Sequence, residues 1–173
     1  YARNDIERGV HKAPANVVIQ GVVNLEVSIS DTQQANLNSQ GVNCIRHFEG
    51  RGILVWGART LASDPEYKYI NVNRLLMYLE QSIKAGTEWT VFEPNNEVTW
   101  AKVKGQVENF LMQTWNNGLL MGAKSSEAYF IKCDRSTMTQ NDFDNHRLIM
   151  QVGVATVKPA EFIIFHLSHQ LNT

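Results

Sequence analysis

The stretch from residue 48 to residue 73, FEGRGILVWGARTLASDPEYKYINVN, constrains the fold of this chain more than any other. A short apolar run at residues 53–56, which ends with Trp56, lies inside it and is flanked by Gly50, Arg51, Gly52, Gly57 and Arg59. The run is too short to span a membrane and is typical of a buried strand. Glycines let the backbone turn or pack closely at the strand ends, and arginines suit fixed carboxylate or carbonyl partners. The stretch therefore predicts a rigid connector.

The remaining sequence predicts alternating helices and strands. Helices are predicted at residues 31–39, from Asp64-Pro65 to Gly86, and from about Glu97 to Asn116, where capping residues precede apolar stripes at helical spacing. The stripes are Tyr69, Val72, Leu76, Leu79 and Ile83 in the second helix, and Trp100, Val103, Val107, Phe110, Leu111 and Thr114 in the third. Strands are predicted at residues 23–30, 44–48, 53–58, 89–92, 128–133, 148–157 and 160–167, with an exposed loop at residues 134–145. This order predicts an α/β (α+β) fold: a single domain with a mixed β-sheet and helices packed on one face of it.

Composition excludes several classes of function. The formal net charge of −1 gives no electrostatic reason to expect nucleic acid or an anionic membrane as a partner. No apolar stretch approaches the roughly 20 residues that a transmembrane helix needs. Cys44 and Cys133 lie in apolar runs, which predicts buried, reduced thiols.

Motifs for catalysis or metal binding are missing from the sequence. The glycines fit neither GxGxxG nor GxxxxGK[ST], no Gly-x-Ser-x-Gly elbow occurs, and no CxxC or HExxH spacing occurs. We therefore expect no enzymatic activity, no cofactor and no metal. Pairing with Arg51, Arg59 or Arg74 is the expected role of five carboxylates, namely Glu49, Asp64, Glu66, Glu93 and Glu161.

Several ordered blocks resemble one known family. GRGILVWGARTL, EYKYINVNRL, WTVFEPN, AYFIKCD and VGVATVKPAEFIIFHLSHQ, together with HKAPAN at residues 11–16, resemble the conserved C-terminal region of contractile tail sheath proteins. That family covers phage tails, R-type bacteriocins and related contractile injection systems. The resemblance runs from about His11 to Gln170. It implies that residues 1–173 are the conserved C-terminal sheath domain of a longer protein, with residues 159–173 as a C-terminal arm.

The resemblance also implies a function. It implies a structural subunit of a helical contractile sheath, which surrounds an inner tube and drives it through a target envelope. The implied partners are other copies of the chain, linked by strand exchange, the inner tube protein, and baseplate and terminator proteins, within a virion tail or a particle assembled in the cytoplasm. A non-contractile baseplate or adaptor module on the same fold is the alternative.

Two surfaces are predicted to make these contacts. The segment Pro159, Ala160, Glu161, Phe162, Ile163, Ile164, Phe165, His166 and Leu167 has high β-propensity and would expose unpaired backbone groups at a sheet edge. Because Pro159 cannot donate to a strand ladder, it fits a hinge from which this arm leaves and pairs with a neighbouring subunit. The polar face of the third helix, with Lys102, Lys104 and Glu108, is the candidate surface for the inner tube. A merely solvated helix face is an equally good interpretation of those three residues.

Overall fold

The fold is a layer of helices packed on two small sheets. A computed structural model describes residues 1–161 of the chain. The helices are α1 (Ala2–Arg8), α2 (Asp31–Ser39), α3 (Ile70–Thr87), α4 (Glu97–Asn116), α5 (Ser125–Ala128) and α6 (Gln140–Asp144), with single 3-10 turns at Pro65–Tyr67 and Glu88–Thr90. The strands are β1 (Val17–Val18), β2 (Cys44–Phe48), β3 (Gly52–Trp56), β4 (Tyr129–Lys132) and β5 (Gln151–Val154). The α+β class is confirmed, as is the single domain. Among the helices of the described residues, none combines the length and the apolar content needed to cross a membrane.

The described strands form two separate antiparallel sheets instead of one mixed sheet. The first has the order β1-β3-β2 and the second pairs β4 with β5. Cys44 faces Trp56 in the β2–β3 hairpin, and Tyr129 faces Val154 in the second sheet. The expectation of a mixed sheet was wrong because a tight turn between β2 and β3 can only join antiparallel strands.

The main core lies between α3, α4 and the second sheet. Its buried side chains are Leu75, Leu79, Val107, Leu111, Leu120 and Ala128. A smaller cluster joins Trp100 of α4 to Cys133 and Met138, which follow β4. Both cysteines are buried and unpaired, as predicted. The buried stripe of α3 contains Leu75 where the sequence predicted Leu76, which is half-buried, because both residues follow Val72 at helical spacing and the pattern alone does not choose between them.

Helix starts follow from side-chain caps. The side chain of Asn96 accepts hydrogen bonds from the backbone N–H groups of Val98 and Thr99, so α4 begins at Glu97 as predicted. Asp64 caps the 3-10 turn that precedes α3. At α2 the cap is Ser30, which forms a capping box with Gln33, and the predicted cap, Asp31, is the first helical residue.

Three strand predictions were wrong or too long. Residues 23–30 are irregular, because their alternating pattern has no neighbouring strand to pair with. The strand predicted at residues 89–92 is absent: residues 88–90 form a 3-10 turn and residues 91–92 are irregular. Trp, Thr, Val and Phe favour strands, but this stretch is only a short link between α3 and α4. A strand was predicted at residues 148–157, but β5 covers only Gln151–Val154. The loop predicted at residues 134–145 contains α6. Most of the strand predicted at residues 160–167 lies outside the described residues.

Candidate subunit-linking site at the root of the C-terminal arm

The backbone after β3 is fixed by Asn43. The Asn43 side-chain amide donates to the Arg59 carbonyl at 2.8 Å and its oxygen accepts from the Arg59 N–H at 2.8 Å. Gly57 has φ of 152°, and a Cβ placed there would lie 2.7 Å from the Asn43 side-chain oxygen. Glycine is therefore required for this close approach. The result is a rigid mount for the Arg59 side chain.

From this fixed backbone position, the Arg59 side chain binds the Glu161 carboxylate. Its Nε donates to both carboxylate oxygens of Glu161, at 3.0 and 3.2 Å, and its guanidinium forms an ion pair with the same carboxylate. The Tyr69 hydroxyl donates to Glu161 Oε2 at 3.2 Å, and the remaining arm of the guanidinium donates to the Asn38 carbonyl at 2.8 Å. We call Arg59, Tyr69 and Glu161 the arm-root clamp.

Burial strengthens the arm-root clamp. The side chains of Arg59 and Glu161 are only 10% and 16% exposed. Burial alone would raise the pKa of Glu161, but hydrogen bonds and charge attraction from Arg59 more than offset it, so the pKa lies below its ordinary value. Burial, followed by the nearby Glu161 carboxylate, raises the pKa of Tyr69, so its hydroxyl stays a donor. The clamp is thus a charge-assisted pair with little solvent around it.

A second contact holds the chain just before the clamp. The Asn71 side chain, 2% exposed, donates to the carbonyls of His11 at 2.9 Å and Val157 at 3.1 Å. Thr156 also forms an isolated bridge with Leu120. Only Lys158, Pro159 and Ala160 separate these contacts from Glu161, so the direction of the chain is set on both sides of the predicted hinge at Pro159.

The other end of the β2–β3 hairpin carries the remaining motif residues. Gly50 and Gly52 have φ of 70° and 87° in its turn, which favours glycine. The Arg51 guanidinium lies 5.5 Å from the Phe48 ring centre and 5.9 Å from that of Trp56, and it donates to the Asn16 side chain. These contacts stiffen the hairpin. They do not join the clamp, which lies at the opposite end of β3.

The outer face of α4 carries Lys102, Lys104 and Glu108, and all three are exposed. The buried face of the same helix points to the core through Trp100, Val103, Val107, Leu111 and Thr114, as predicted, and Phe110 is half-buried. No ion pair joins the three charged residues to any other residue within positions 1–161. They are available to a partner.

The structure brings together some predicted residues and adds others. Glu161 pairs with Arg59, one of the three expected arginines. Arg74 instead binds Asp5 through two hydrogen bonds of 2.6 Å. Tyr69, Asn43 and Asn71 were not predicted as site residues, because single polar side chains carry no spacing signal. Ala160 and Pro159 lie at the clamp, and Phe162, Ile163, Ile164, Phe165, His166 and Leu167 fall outside the described residues.

The site offers no constellation for catalysis. Its groups are one arginine, one carboxylate, one phenol and two side-chain amides, which contact one another or backbone carbonyls. No group of three or more His, Cys, Asp or Glu side chains that could hold a metal ion occurs within residues 1–161. The contacts fix Glu161, which the apolar residues 162–165 follow in the sequence.

Comparisons with known proteins define the class. The family model described as phage tail sheath C-terminal domain matches residues 62–169, and that described as phage tail sheath protein central domain matches residues 1–61. The chain therefore belongs to the phage tail sheath family, a family of structural sheath proteins. The two matches meet just after Arg59, and the division of residues 1–173 into one domain and an arm stays a prediction.

Individual relatives come from phages and from injection systems. A chain in the cryo-EM structure of the anti-feeding prophage baseplate is 45% identical with a TM-score of 0.94, covering 99% of this chain and 48% of that chain. A chain of the contracted PVC sheath, from an extracellular contractile injection system, is 40% identical with a TM-score of 0.93, covering 98% and 49%. The tail sheath protein of Vibrio phage KVP40 is 24% identical over 146 residues, which cover 84% of this chain and 21% of the phage protein. This chain thus spans about half, or less, of the length of these relatives.

Proposed function

We propose that this chain is the part of a contractile sheath subunit that links neighbouring subunits while the sheath changes length. The observation that carries the proposal is the arm-root clamp. It holds Glu161 to the rigid mount after β3, and the apolar segment Phe162 to Leu167 follows at once in the sequence. A strand that adds to a neighbour's sheet needs a fixed point of departure, and the clamp supplies it.

Strand addition would satisfy the chemistry of residues 162–167. The segment is rich in residues that favour strands, and its backbone groups need partners. Each backbone hydrogen bond contributes a net of about 0.5–1.5 kcal/mol, so several bonds plus buried Phe and Ile side chains make a durable link. Subunits joined in this way can rotate while the link stays closed. The energy of contraction then comes from new contacts between subunits, without catalysis and without a cofactor in this chain.

Truncation after the clamp tests this proposal. Deleting residues 162–173 keeps Glu161 and the whole described fold. We expect the melting temperature of the isolated chain to change by less than about 2 °C, the range typical of surface changes, and assembly into polymers to be lost. A truncated chain that unfolds would show that the strand belongs to its own core. A truncated chain that still polymerises would show that other surfaces suffice.

We also propose that the outer face of α4 contacts the inner tube. Exposed charges suit a contact that must form in one state and break in another, because such pairs are individually weak and sensitive to salt. The double reversal Lys102→Glu and Lys104→Glu should reduce co-assembly with purified tube protein and leave polymers of the sheath alone intact. Reversal of Lys84, an exposed lysine of α3, is the matched control. Unchanged co-assembly in the double variant would contradict this assignment.

The alternative is a baseplate module on the same fold. The similarity to a chain in the anti-feeding prophage baseplate structure supports this alternative, whereas the similarity to the PVC sheath supports the sheath function. Negative-stain microscopy of the purified protein distinguishes the two functions. Striated helical tubes or rings support the sheath, whereas discrete monomers support the baseplate module. Nucleotide-binding and metal analyses on the same sample should be blank, and stoichiometric zinc or micromolar ATP binding would contradict a purely structural function.

A further inference from the structure

Phe92 is the most exposed large apolar side chain of the described residues. Its side chain is 103% exposed, and its backbone has φ of 71°. A bulky residue with positive φ is a true outlier, since the left-handed region costs little only for glycine. A side chain that contacts nothing in its own chain gives no internal reason for this conformation. Strained residues of this kind persist where the surroundings enforce them, and they cluster at functional sites.

The loop that carries Phe92 is braced on both sides. The Trp89 indole donates to the Gln106 side chain of α4 at 2.7 Å, and the Glu93 N–H donates to the Thr90 carbonyl at 3.0 Å. On the other side the Asn95 amide donates to the Arg147 carbonyl at 3.1 Å. The loop therefore presents Phe92 rigidly, as an anchor that loses little conformational entropy on binding.

The sequence on both sides of Phe92 carries exposed apolar and acidic side chains. Val91, Val98 and Trp89 are 61%, 63% and 41% exposed and lie close to Phe92 in the sequence. The exposed acidic residues Glu88, Glu93 and Glu97 alternate with them, and none has an ion pair within residues 1–161. We call these seven residues, 88, 89, 91–93, 97 and 98, the aromatic knob.

A groove between α1 and β1 has the opposite character. Two adjoining clefts share Arg3, Val17 and Val18, and one of them also has Arg8 and Lys12 in its wall. The floor is apolar, with Pro14 and the two valines, and the only acidic residue in the walls described is Glu7. We call this surface, defined by Arg3, Arg8, Lys12, Pro14, Val17 and Val18, the basic groove. At neutral pH its cations outnumber its single carboxylate.

We propose that the aromatic knob of one copy docks into the basic groove of a second copy. The apolar side chains of the knob then contact the apolar floor of the groove, and the glutamates of the knob face the arginines and the lysine of the groove. Such charge complementarity fixes the register of an interface. The contact is heterologous, because it joins two different surfaces: the aromatic knob of one copy and the basic groove of the next. Repetition of such a contact generates an open helix or a ring. The proposal rests on the proposed function only in assuming that copies of this chain assemble. It uses none of the residues of the arm-root clamp.

Phe92→Gly separates this contact from folding. Glycine adopts a positive φ without cost, so the isolated variant should melt at the same temperature as the parent chain or above it. Self-association, followed by sedimentation velocity over a concentration series, should weaken by at least about tenfold, as expected for loss of a central aromatic anchor. Leu61→Ala removes another exposed apolar side chain, 83% exposed, and should leave association unchanged. Equal association of Phe92→Gly and the parent would overturn the proposal.

A mixing experiment identifies the two surfaces as partners. Phe92→Gly removes the knob but keeps the groove, and the double variant Arg3→Glu and Arg8→Glu reverses the groove but keeps the knob. Each variant alone should associate at least about tenfold more weakly than the parent chain, whereas an equimolar mixture should regain association through the one intact knob and the one intact groove. A mixture that associates no more tightly than the separate variants would overturn the pairing. Loss of tube binding by Phe92→Gly with unchanged self-association would assign the knob to the tube instead.

These outcomes are independent of the strand link. Deletion of residues 162–173 tests the arm and leaves both surfaces of the knob and groove intact. If the truncated chain still associates and Phe92→Gly does not, the strand link fails and the knob–groove contact stands. If the reverse holds, the knob–groove contact fails alone.

Discussion

Glu161→Gln is the most direct test of the arm-root clamp. Glutamine keeps the shape of the side chain and one acceptor for Arg59, but it removes the charge and one of the two carboxylate oxygens that face the guanidinium. The Tyr69 hydroxyl also loses an ionised acceptor. The change therefore reports the charge-assisted part of the clamp and leaves packing untouched.

The magnitude follows from burial. Hydrogen bonds to charged groups contribute a net of about 1.5–3 kcal/mol, and exposures of 10% and 16% leave little solvent to screen the pair. We expect a loss of about 2 kcal/mol in the free energy of unfolding at pH 7. For a chain of this size that loss lowers the melting temperature by about 4–8 °C.

The pH dependence of stability gives a second measure of what the Arg59–Glu161 ion pair contributes. The pKa of Glu161 is lowered in the folded state from an ordinary value of 4.5, so the stabilisation is complete above that value. It is lost as the pH falls through the lower folded pKa. The difference in stability between the parent chain and Glu161→Gln should therefore begin to shrink below about pH 4.5 and reach zero only below the lowered pKa of the folded state.

Chemical denaturation at pH 7 and at low pH measures both effects. Glu80→Gln, at an exposed position of α3, controls for loss of a carboxylate as such. A loss of less than about 0.5 kcal/mol at pH 7 would refute the reasoning, because that is the value of an ordinary surface pair.

Three further changes test other parts of the fold, each by urea denaturation with circular dichroism. Gly57→Ala should cost about 1–3 kcal/mol, because its Cβ would lie 2.7 Å from the Asn43 side chain at a φ of 152°. Asp5→Asn should cost about 1–2 kcal/mol at pH 7 by breaking the double hydrogen bond to Arg74, which lowers the pKa of Asp5. That cost should begin to shrink below about pH 4, the ordinary pKa of an aspartate, and should disappear only below the lowered pKa of the folded state, and a constant cost would contradict it. Leu111→Ala should cost about 2–5 kcal/mol, because the side chain is 0% exposed; a loss under 1 kcal/mol would show that the core is loosely packed at this point.

Local signals decided which elements the sequence could predict. Helix α4 was predicted from Glu97 to Asn116 and is observed over the same residues, since its cap, its apolar stripe and its Asn117-Gly118 stop are all local. The two strands that form the β2–β3 hairpin were predicted from apolar runs bounded by glycines, but their antiparallel pairing was not. The side chains at positions 89–92 favour strands, but the link between the two packed helices is too short to contain a strand.

Long-range pairings limited the prediction of the site. Arg59 and Glu161 were both candidate residues, yet they are 102 positions apart, and no pattern within either segment identifies the partner. Tyr69 enters the clamp because it forms a bridge with Arg59, a pairing that depends on how the chain returns after β3. Asn71 gave no signal at all, since a buried asparagine at the start of a helix has the same local sequence as an exposed one.

Asn71 makes the first turn of α3 a mechanical junction. One amide group holds the carbonyls of His11 and Val157, and Arg74, one turn along the same helix, holds Asp5. Tension applied between the segment around residue 11 and the segment around residue 157 would therefore pass through a single helical turn and a few polar contacts. In a lattice that shortens by rotating its subunits, this route would let the subunit bear tension while its apolar core stays at constant volume.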